Sequence, residues 1–278
     1  MKFTKMQGAG NDYVYVNCFE ECVEDPAAIA VKVSNRNFGI GSDGLILIMP
    51  SDQADVRMRM FNSDGSESEM CGNGIRCVAK YAYDHGLIDK KEISAETGAG
   101  ILTLQLVTGA GGKVDKVRVN MGPPRLTRGE IPMLGNPDEQ VVNEPLNILH
   151  STFQITCASM GNPHCVIFVD DVEAFQVEKY GPLIENHELF PRRTNVEFVQ
   201  IISRTEVRQR TWERGAGETL ACGTGSSAVT AACVLNGLTE KKIVNHLSGG
   251  DLEMEWGDDG NIYMTGPAVE VFTGEIAL

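Results

Sequence analysis

Two cysteines each stand immediately before a glycine-rich turn, in Cys71-Gly72-Asn73-Gly74 and Cys222-Gly223-Thr224-Gly225. A helix opening at such a turn offers unpaired N–H groups and a partial positive charge, which attract an anion and lower the pKa of a nearby thiol. Two thiols on opposite faces of one carbon acid could take a proton from one side and return one to the other, inverting the centre. The charge that builds on a substrate carboxylate would meet the N–H groups of Gly72, Asn73, Gly223 and Thr224 as it would an oxyanion hole. This chemistry calls for no pyridoxal lysine, no metal and no other cofactor. A lone Cys-Gly pair is more often plain packing, and that is how Cys18, Cys22, Cys77, Cys157, Cys165 and Cys233 are read. None of the eight cysteines has Cys-x-x-Cys spacing and the five histidines are scattered, so free thiols are expected and a metal site is not.

What lifts Cys71 and Cys222 above that bland reading is an internal repeat. At an offset of 151 residues, positions 56–87 and 207–238 align without a gap. They share Val56/Val207, Arg57/Arg208, Arg59/Arg210, Glu67/Glu218, Cys71/Cys222, Gly72/Gly223, Gly74/Gly225, Val78/Val229, Gly86/Gly237 and Leu87/Leu238. The same offset pairs Gly10-Asn11 with Gly161-Asn162, each followed by an apolar run. Short β-rich runs, among them 45–48, 116–121 and 196–202, surround one helix per copy. The spacing predicts those helices over 75–85 and 226–235, closed by Gly86 and Gly237 as C′ residues. The second has no charge on any face, as befits a helix surrounded by sheet.

The expected fold is therefore α/β (α+β), with two pseudo-symmetric domains, each a mixed β-sheet wrapped around a central helix. Gly122-Pro123 and Gly266-Pro267 punctuate the copies. They place one domain at 1–122 plus 268–278, the tail returning as a strand, and the other at 123–267. A chain of 278 residues with 42% hydrophobic content can fill two such cores. The formal net charge of −14 disfavours nucleic acid and anionic membrane surfaces, leaving a small soluble molecule as the expected partner. No apolar leader opens the chain, and no stretch approaches the roughly 18 apolar residues of a span, so a cytoplasmic protein is expected.

Six motifs in order extend this reading: Gly8-Ala9-Gly10-Asn11-Asp12, Phe61-Asn62-Ser63-Asp64-Gly65-Ser66, Met70-Cys71-Gly72-Asn73-Gly74, Gly161-Asn162-Pro163-His164, Thr194-Asn195, and Glu213-Arg214-Gly215 nine residues before Cys222. Through them the chain resembles diaminopimelate epimerase along essentially its full length. The resemblance implies interconversion of LL- and meso-2,6-diaminopimelate for lysine and peptidoglycan synthesis, without cofactor, in a cleft between the two domains of a homodimer's subunit. It implies that Asn62, Asn162, Asn195 and Arg214 hold the distal amino-acid end, with Arg214 gripping its carboxylate and Glu213 beside it. Asn11 is implied as a substrate contact, while His164 and Glu213 resemble residues that tune the cysteines. Gly44 stands where some members carry a substrate-contacting glutamine, so that side-chain contact is absent and backbone or water would replace it. Glu213 falls on the repeat position of Asn62, and Asn195 on that of Gly44, so the duplicated site is chemically asymmetric.

Three rivals are weighed against this. A proline racemase of similar fold would need no distal recognition by asparagines and Arg214. A cysteine hydrolase pairing Cys71 or Cys222 with His164 leaves the other cysteine idle. A binding protein that has lost its chemistry would not need both thiols.

Overall fold

The computed structural model of the chain describes residues 1–277; Leu278, the last residue of the expected returning segment, lies outside them. In chain order the elements of the first copy are β1 (Lys2–Gly8), β2 (Asn11–Asn17), α1 (Pro26–Ser34), β3 (Gly44–Met49), β4 (Val56–Asn62), β5 (Glu67–Ser68), α2 (Gly72–Asp84), β6 (Glu92–Thr97), β7 (Gly100–Thr108) and β8 (Val114–Asn120). The second copy follows as β9 (Glu144–Ile148), β10 (Ser151–Ser159), β11 (Pro163–Phe168), α3 (Val177–Glu185), β12 (Asn195–Ile201), β13 (Glu206–Glu213), β14 (Gly217–Thr219), α4 (Gly223–Leu235), β15 (Lys242–Leu247) and β16 (Gly250–Trp256). Two strands, β17 (Ile262–Pro267) and β18 (Val269–Glu275), complete the chain. It divides into one compact unit of Met1–Asn120 with Thr265–Leu278 and another of Met121–Met264.

In the first unit the sheet runs β18, β1, β2, β3, β4, β6, β7, β8, with β2/β3 and β4/β6 parallel and the other pairs antiparallel. In the second unit it runs β9, β10, β11, β12, β13, β15, β16, again with two parallel pairs, β11/β12 and β13/β15. The 151-residue offset maps α1 onto α3 and α2 onto α4 end to end. Both sheets are mixed and both curl about a helix: α2 touches β1, β2, β4, β6, β7 and β8, while α4 touches β10, β11, β12 and β16.

Strands covered on both faces read as continuous apolar runs, and β3 (Gly44-Leu45-Ile46-Leu47-Ile48) does so. Its Leu45 and Leu47 join Val14, Val16, Ala30 and Val33 in a core under α1. The alternate residues, Ile46 with Tyr13 and Tyr15 of β2, face the opposite way, toward α2. The second unit repeats the arrangement, with Cys165, Ile167, Val196 and Phe198 packed on the α3 side.

Both central helices are buried almost from end to end. Both begin earlier than their apolar runs suggest, at Gly72 and Gly223 rather than at 75 and 226. The reason is local: the glycines form the first helical turn, and the cysteine side chain caps it. Gly86 (φ +73°) and Gly237 (φ +67°) lie just past the two C-caps, His85 and Asn236. In each, the last carbonyls accept from the glycine N–H and the leucine N–H after it, a Schellman closure.

Among the described residues, no group of three or more His, Cys, Asp or Glu could hold a metal ion. No helix there is long and apolar enough to cross a membrane.

Candidate active site

In the first unit, Cys71 adopts the extended backbone of an N-cap and its Sγ accepts from the Gly74 N–H at 3.3 Å. Its thiol donates to Asn11 Oδ1 at 3.3 Å. Asn11 is held in that orientation because its Nδ2 donates to Asp43 Oδ2 at 2.7 Å. Asp43 is fixed in turn by the Asp12 N–H and by Arg36, which also bridges to Asp12, and Asp12 contacts the buried Lys5. Burial alone would raise the Asp12 carboxyl pKa; hydrogen bonds from Arg36 and Lys5 outweigh it and hold the pKa below its ordinary value. Tyr13, the next inward residue of β2, has its phenol pushed far up by burial, with Cys71 and Asp43 adding to the effect.

Beneath the same helix turn lies Arg76, fully buried, whose guanidinium donates to Gly72 O and Pro267 O, both at 3.1 Å. Burial lowers its pKa, and the nearby Cys77 and Cys71 sulfurs oppose that. Gly44 presents only backbone: a Cβ there would fall 2.1 Å from Phe61 O and 2.9 Å from the Tyr13 ring. Asn62 ends β4, with its amide on Ser66 Oγ at 3.0 Å.

The second unit builds its counterpart with different side chains. Cys222, 8% exposed, caps α4 by accepting from the Gly225 N–H at 3.3 Å, and Thr224 Oγ1 lies 3.4 Å from its sulfur. Asn162 Nδ2 donates to Thr224 Oγ1 at 3.2 Å and its Oδ1 lies 3.0 Å from His164 Nε2. His164 Nδ1 lies 2.8 Å from Glu197 Oε1, and both side chains are fully buried. His164 is therefore engaged at both nitrogens by Glu197 and Asn162, which leaves it no free nitrogen with which to activate a nucleophilic cysteine. Glu213 accepts from the Thr219 hydroxyl at 2.6 Å. Asn195 donates to Pro163 O at 2.8 Å and accepts from the Arg214 N–H at 2.9 Å. The exposed Arg214 side chain gives one nitrogen to Arg192 O at 3.1 Å.

A helix N-terminus was expected to lower the thiol pKa, and at Cys222 the balance runs the other way. Burial, followed by the Glu213 and Glu197 charges, pushes this thiol well above its ordinary value, against the pull of the Thr224 and Gly225 hydrogen bonds. A dry site penalises the thiolate more than two donors repay.

The structure thus gathers Asn11, Gly44, Asn62, Cys71, Gly72 and Asn73 in the first unit, and Asn162, His164, Asn195, Glu213, Arg214, Cys222, Gly223 and Thr224 in the second. The diaminopimelate epimerase family model matches residues 3–127 and 156–271. Diaminopimelate epimerase of Agathobacter rectalis is 59% identical over 99% of both chains. That of Acetivibrio thermocellus is 58% identical over all of this chain and 99% of the relative.

The chain belongs to the diaminopimelate epimerase family.

Its fold is shared more widely. A Bacillus anthracis phenazine biosynthesis protein of the PhzF family superposes with a TM-score of 0.73 at 17% identity, covering 100% and 99% of the two chains. A probable proline racemase from Agrobacterium radiobacter gives 0.70 at 16%, covering 100% and 93%.

Four residues that hold this epimerase-family site together were missed in the sequence. Glu197 breaks an otherwise apolar strand, Val196-Glu197-Phe198-Val199, and a lone charge there was its signal. Arg76 is likewise the one charged residue in the first turns of a buried helix. Asp43, which orients Asn11, and Glu185, which accepts from the Gly215 N–H and Trp212 Nε1, left no comparable trace.

Proposed function

We propose that this chain interconverts LL- and meso-2,6-diaminopimelate, one of Cys71 and Cys222 removing the α-proton from one face as a thiolate while the other, as a thiol, delivers its own proton to the opposite face. The observation that carries the reading is the pair of thiols at matching N-caps, one in each copy of the repeat, in a chain of this family. Inversion requires a base on one face of the α-carbon and an acid on the other, and a thiol serves as either. The N–H groups of Gly72, Asn73, Gly223 and Thr224, at the first positions of α2 and α4, suit the carboxylate on which negative charge grows. No step needs a cofactor.

Arg214 commits one nitrogen to Arg192 O, and a guanidinium with five N–H donors retains enough to grip a distal carboxylate in bidentate fashion. Asn62, Asn162, Asn195 and Glu213 would frame that end of the substrate. Asn11 and the backbone at Gly44 would lie by the reacting end. The two compact units serve as the two epimerase domains in this reading. Free thiols on all eight cysteines favour a reducing compartment, hence the cytoplasm. A homodimer is supported by β18, which exposes Val269, Val271 and Phe272 along one strand; sedimentation of the purified chain at monomer mass would count against it.

Incubation with LL-diaminopimelate in deuterium oxide tests the activity. Deuterium is expected at one α-carbon as the meso form appears. Reduced, folded protein that exchanges nothing would remove the reading.

A further inference from the structure

In the second unit, hydrogen bonds run without a break from a buried carboxylate to a thiol: Glu197 to His164, 2.8 Å; His164 to Asn162, 3.0 Å; Asn162 to Thr224, 3.2 Å; Thr224 to Cys222, 3.4 Å. Proton counting fixes its sense. Both ring nitrogens of His164 face oxygens, so each N···O line must hold a proton. The Glu197–His164 pair therefore carries either an imidazolium beside a carboxylate or an imidazole beside a carboxylic acid, and its net charge is zero. Turning the Asn162 amide over would aim its NH2 group at His164 and leave a net negative pair at a place with no solvent exposure.

With Asn162 Oδ1 toward His164, its Nδ2 donates to Thr224 Oγ1, and the Thr224 O–H is left to point at the Cys222 sulfur. The first unit lacks both the carboxylate and the imidazole at the matching positions. Tyr13 and Ile46 stand at the repeat positions of His164 and Glu197, on the equivalent pair of parallel strands, β2 and β3. A Cβ on Gly74 would meet Ile46 Cδ1 at 2.6 Å, as one on Gly225 would meet Glu197 Oε1 at 2.7 Å. There the Cys71 thiol donates to Asn11 Oδ1, and the Tyr13 phenol is hydrogen-bonded to the same sulfur.

We propose that Glu197 is a positioning residue: through His164 and Asn162 it turns the Thr224 hydroxyl hydrogen onto Cys222. The proposal rests on the two-thiol reading above. Its function is to stabilise the Cys222 thiolate at the moment that group acts as base, in a site too dry to do so otherwise. The other titratable groups bearing on Cys222 are Glu213 on β13 and Glu197 itself on β12. On β11 and β10, Cys165 and Cys157 bond to each other, and β16 buries the uncharged Leu252 and Met254.

The test is the pH dependence of Cys222 alkylation by iodoacetamide in the substrate-free, full-length protein, read peptide by peptide by mass spectrometry. Glu197→Met leaves His164 without its partner and is expected to slow alkylation at fixed pH about tenfold, the loss of one hydrogen bond to a charged group. Glu197→Gln, whose amide can donate to Nδ1 and keep the proton on Nε2, is expected to stay within about twofold of the parent. Thr224→Val should match Glu197→Met, and the double variant should be no slower than either alone. If Glu197 acted only as a nearby negative charge, both of its variants would speed alkylation, and that result overturns the proposal; so does an unchanged profile in Thr224→Val. Nitrogen-15 spectra of the histidines in the unaltered protein give a check independent of any variant: a protonated Nε2 on His164 is required, and a bare one refutes the relay. Alkylation without substrate and deuterium exchange with it are separate readouts, so failure of the relay and failure of the epimerase reading are told apart.

Discussion

The turns at Cys71 and Cys222 are superimposable in plan and opposite in electrical character. Each cysteine caps a 13-residue helix through the same N–H three residues on, at the same 3.3 Å. Upstream of each, an arginine and the glutamate four residues before the cysteine lock a hairpin in bidentate fashion, Arg59–Glu67 and Arg210–Glu218, with matching distances of 2.7 and 2.9 Å. Around that shared frame, Cys71 has the buried cation Arg76 close by, whereas Cys222 has Glu197 and Glu213. Duplication has conserved the backbone geometry that places a thiol and let the charges that govern it drift apart.

The bluntest way to break the comparison is to remove either sulfur. Cys71→Ala and Cys222→Ala are each expected to cut epimerisation by at least the roughly 10²–10⁴-fold typical of a lost acid or base, measured by turnover with LL-diaminopimelate. Near-normal turnover in either would mean that the copies are not partners. Next comes Ile46→Glu, which puts the second unit's carboxylate into the first, where Tyr13 stands in place of a histidine. An uncompensated buried charge there should cost about 3–5 kcal/mol in urea unfolding. A neutral outcome would show that the inward faces of the two sheets are more alike than their residues suggest.

Smaller effects should sharpen the contrast between the hairpin clamps. Arg210 also donates to the carbonyls of Val172, Glu173 and Phe175, while Arg59 lies over the Phe61 ring 5.0 Å from its centroid. Arg210→Ala is therefore expected to cost about 2–3 kcal/mol and Arg59→Ala about 1 kcal/mol or less in the same unfolding assay. Equal costs would assign the stability to the ion pairs alone. Least of all is an alkaline effect. The folded state holds the Cys222 proton more tightly than the unfolded chain does, so its contribution is complete below the ordinary value of 9.0 and is lost as pH rises past it. Cys222→Ala should flatten the fall in stability above pH 9, by at most about 1.4 kcal/mol per pH unit. An unaltered slope would place the alkaline loss in other buried thiols such as Cys77 and Cys233.

How far the sequence speaks depends on distance along the chain. The 151-residue repeat, the two cysteines and the closing glycines are local or periodic features, and they led to the mixed sheets, the central helices and the family. The helix starts were misplaced by three residues because a cysteine was not read as a cap. Glu197 is a starker case. It meets His164 only because β11 and β12 pair in parallel, with His164 opposite Asn195 and Val166 opposite Glu197. Thirty-three residues separate the pair, and no local pattern fixes that register. Asp43 and Glu185 work through backbone N–H groups, the Asn11 amide, the Arg36 guanidinium and the Trp212 indole, contacts that composition cannot announce.

One detail of the central helices bears on how such a site could change over time. The carbonyl of the first helical residue, Gly72 or Gly223, accepts an extra hydrogen bond from the side chain four residues on: a guanidinium from Arg76, a hydroxyl from Ser227. One backbone acceptor is satisfied equally well by a charged donor and by a neutral one. A single replacement at that position could thus reset the local field beside a cysteine while every capping contact stayed in place, a dial for reactivity that leaves the architecture untouched.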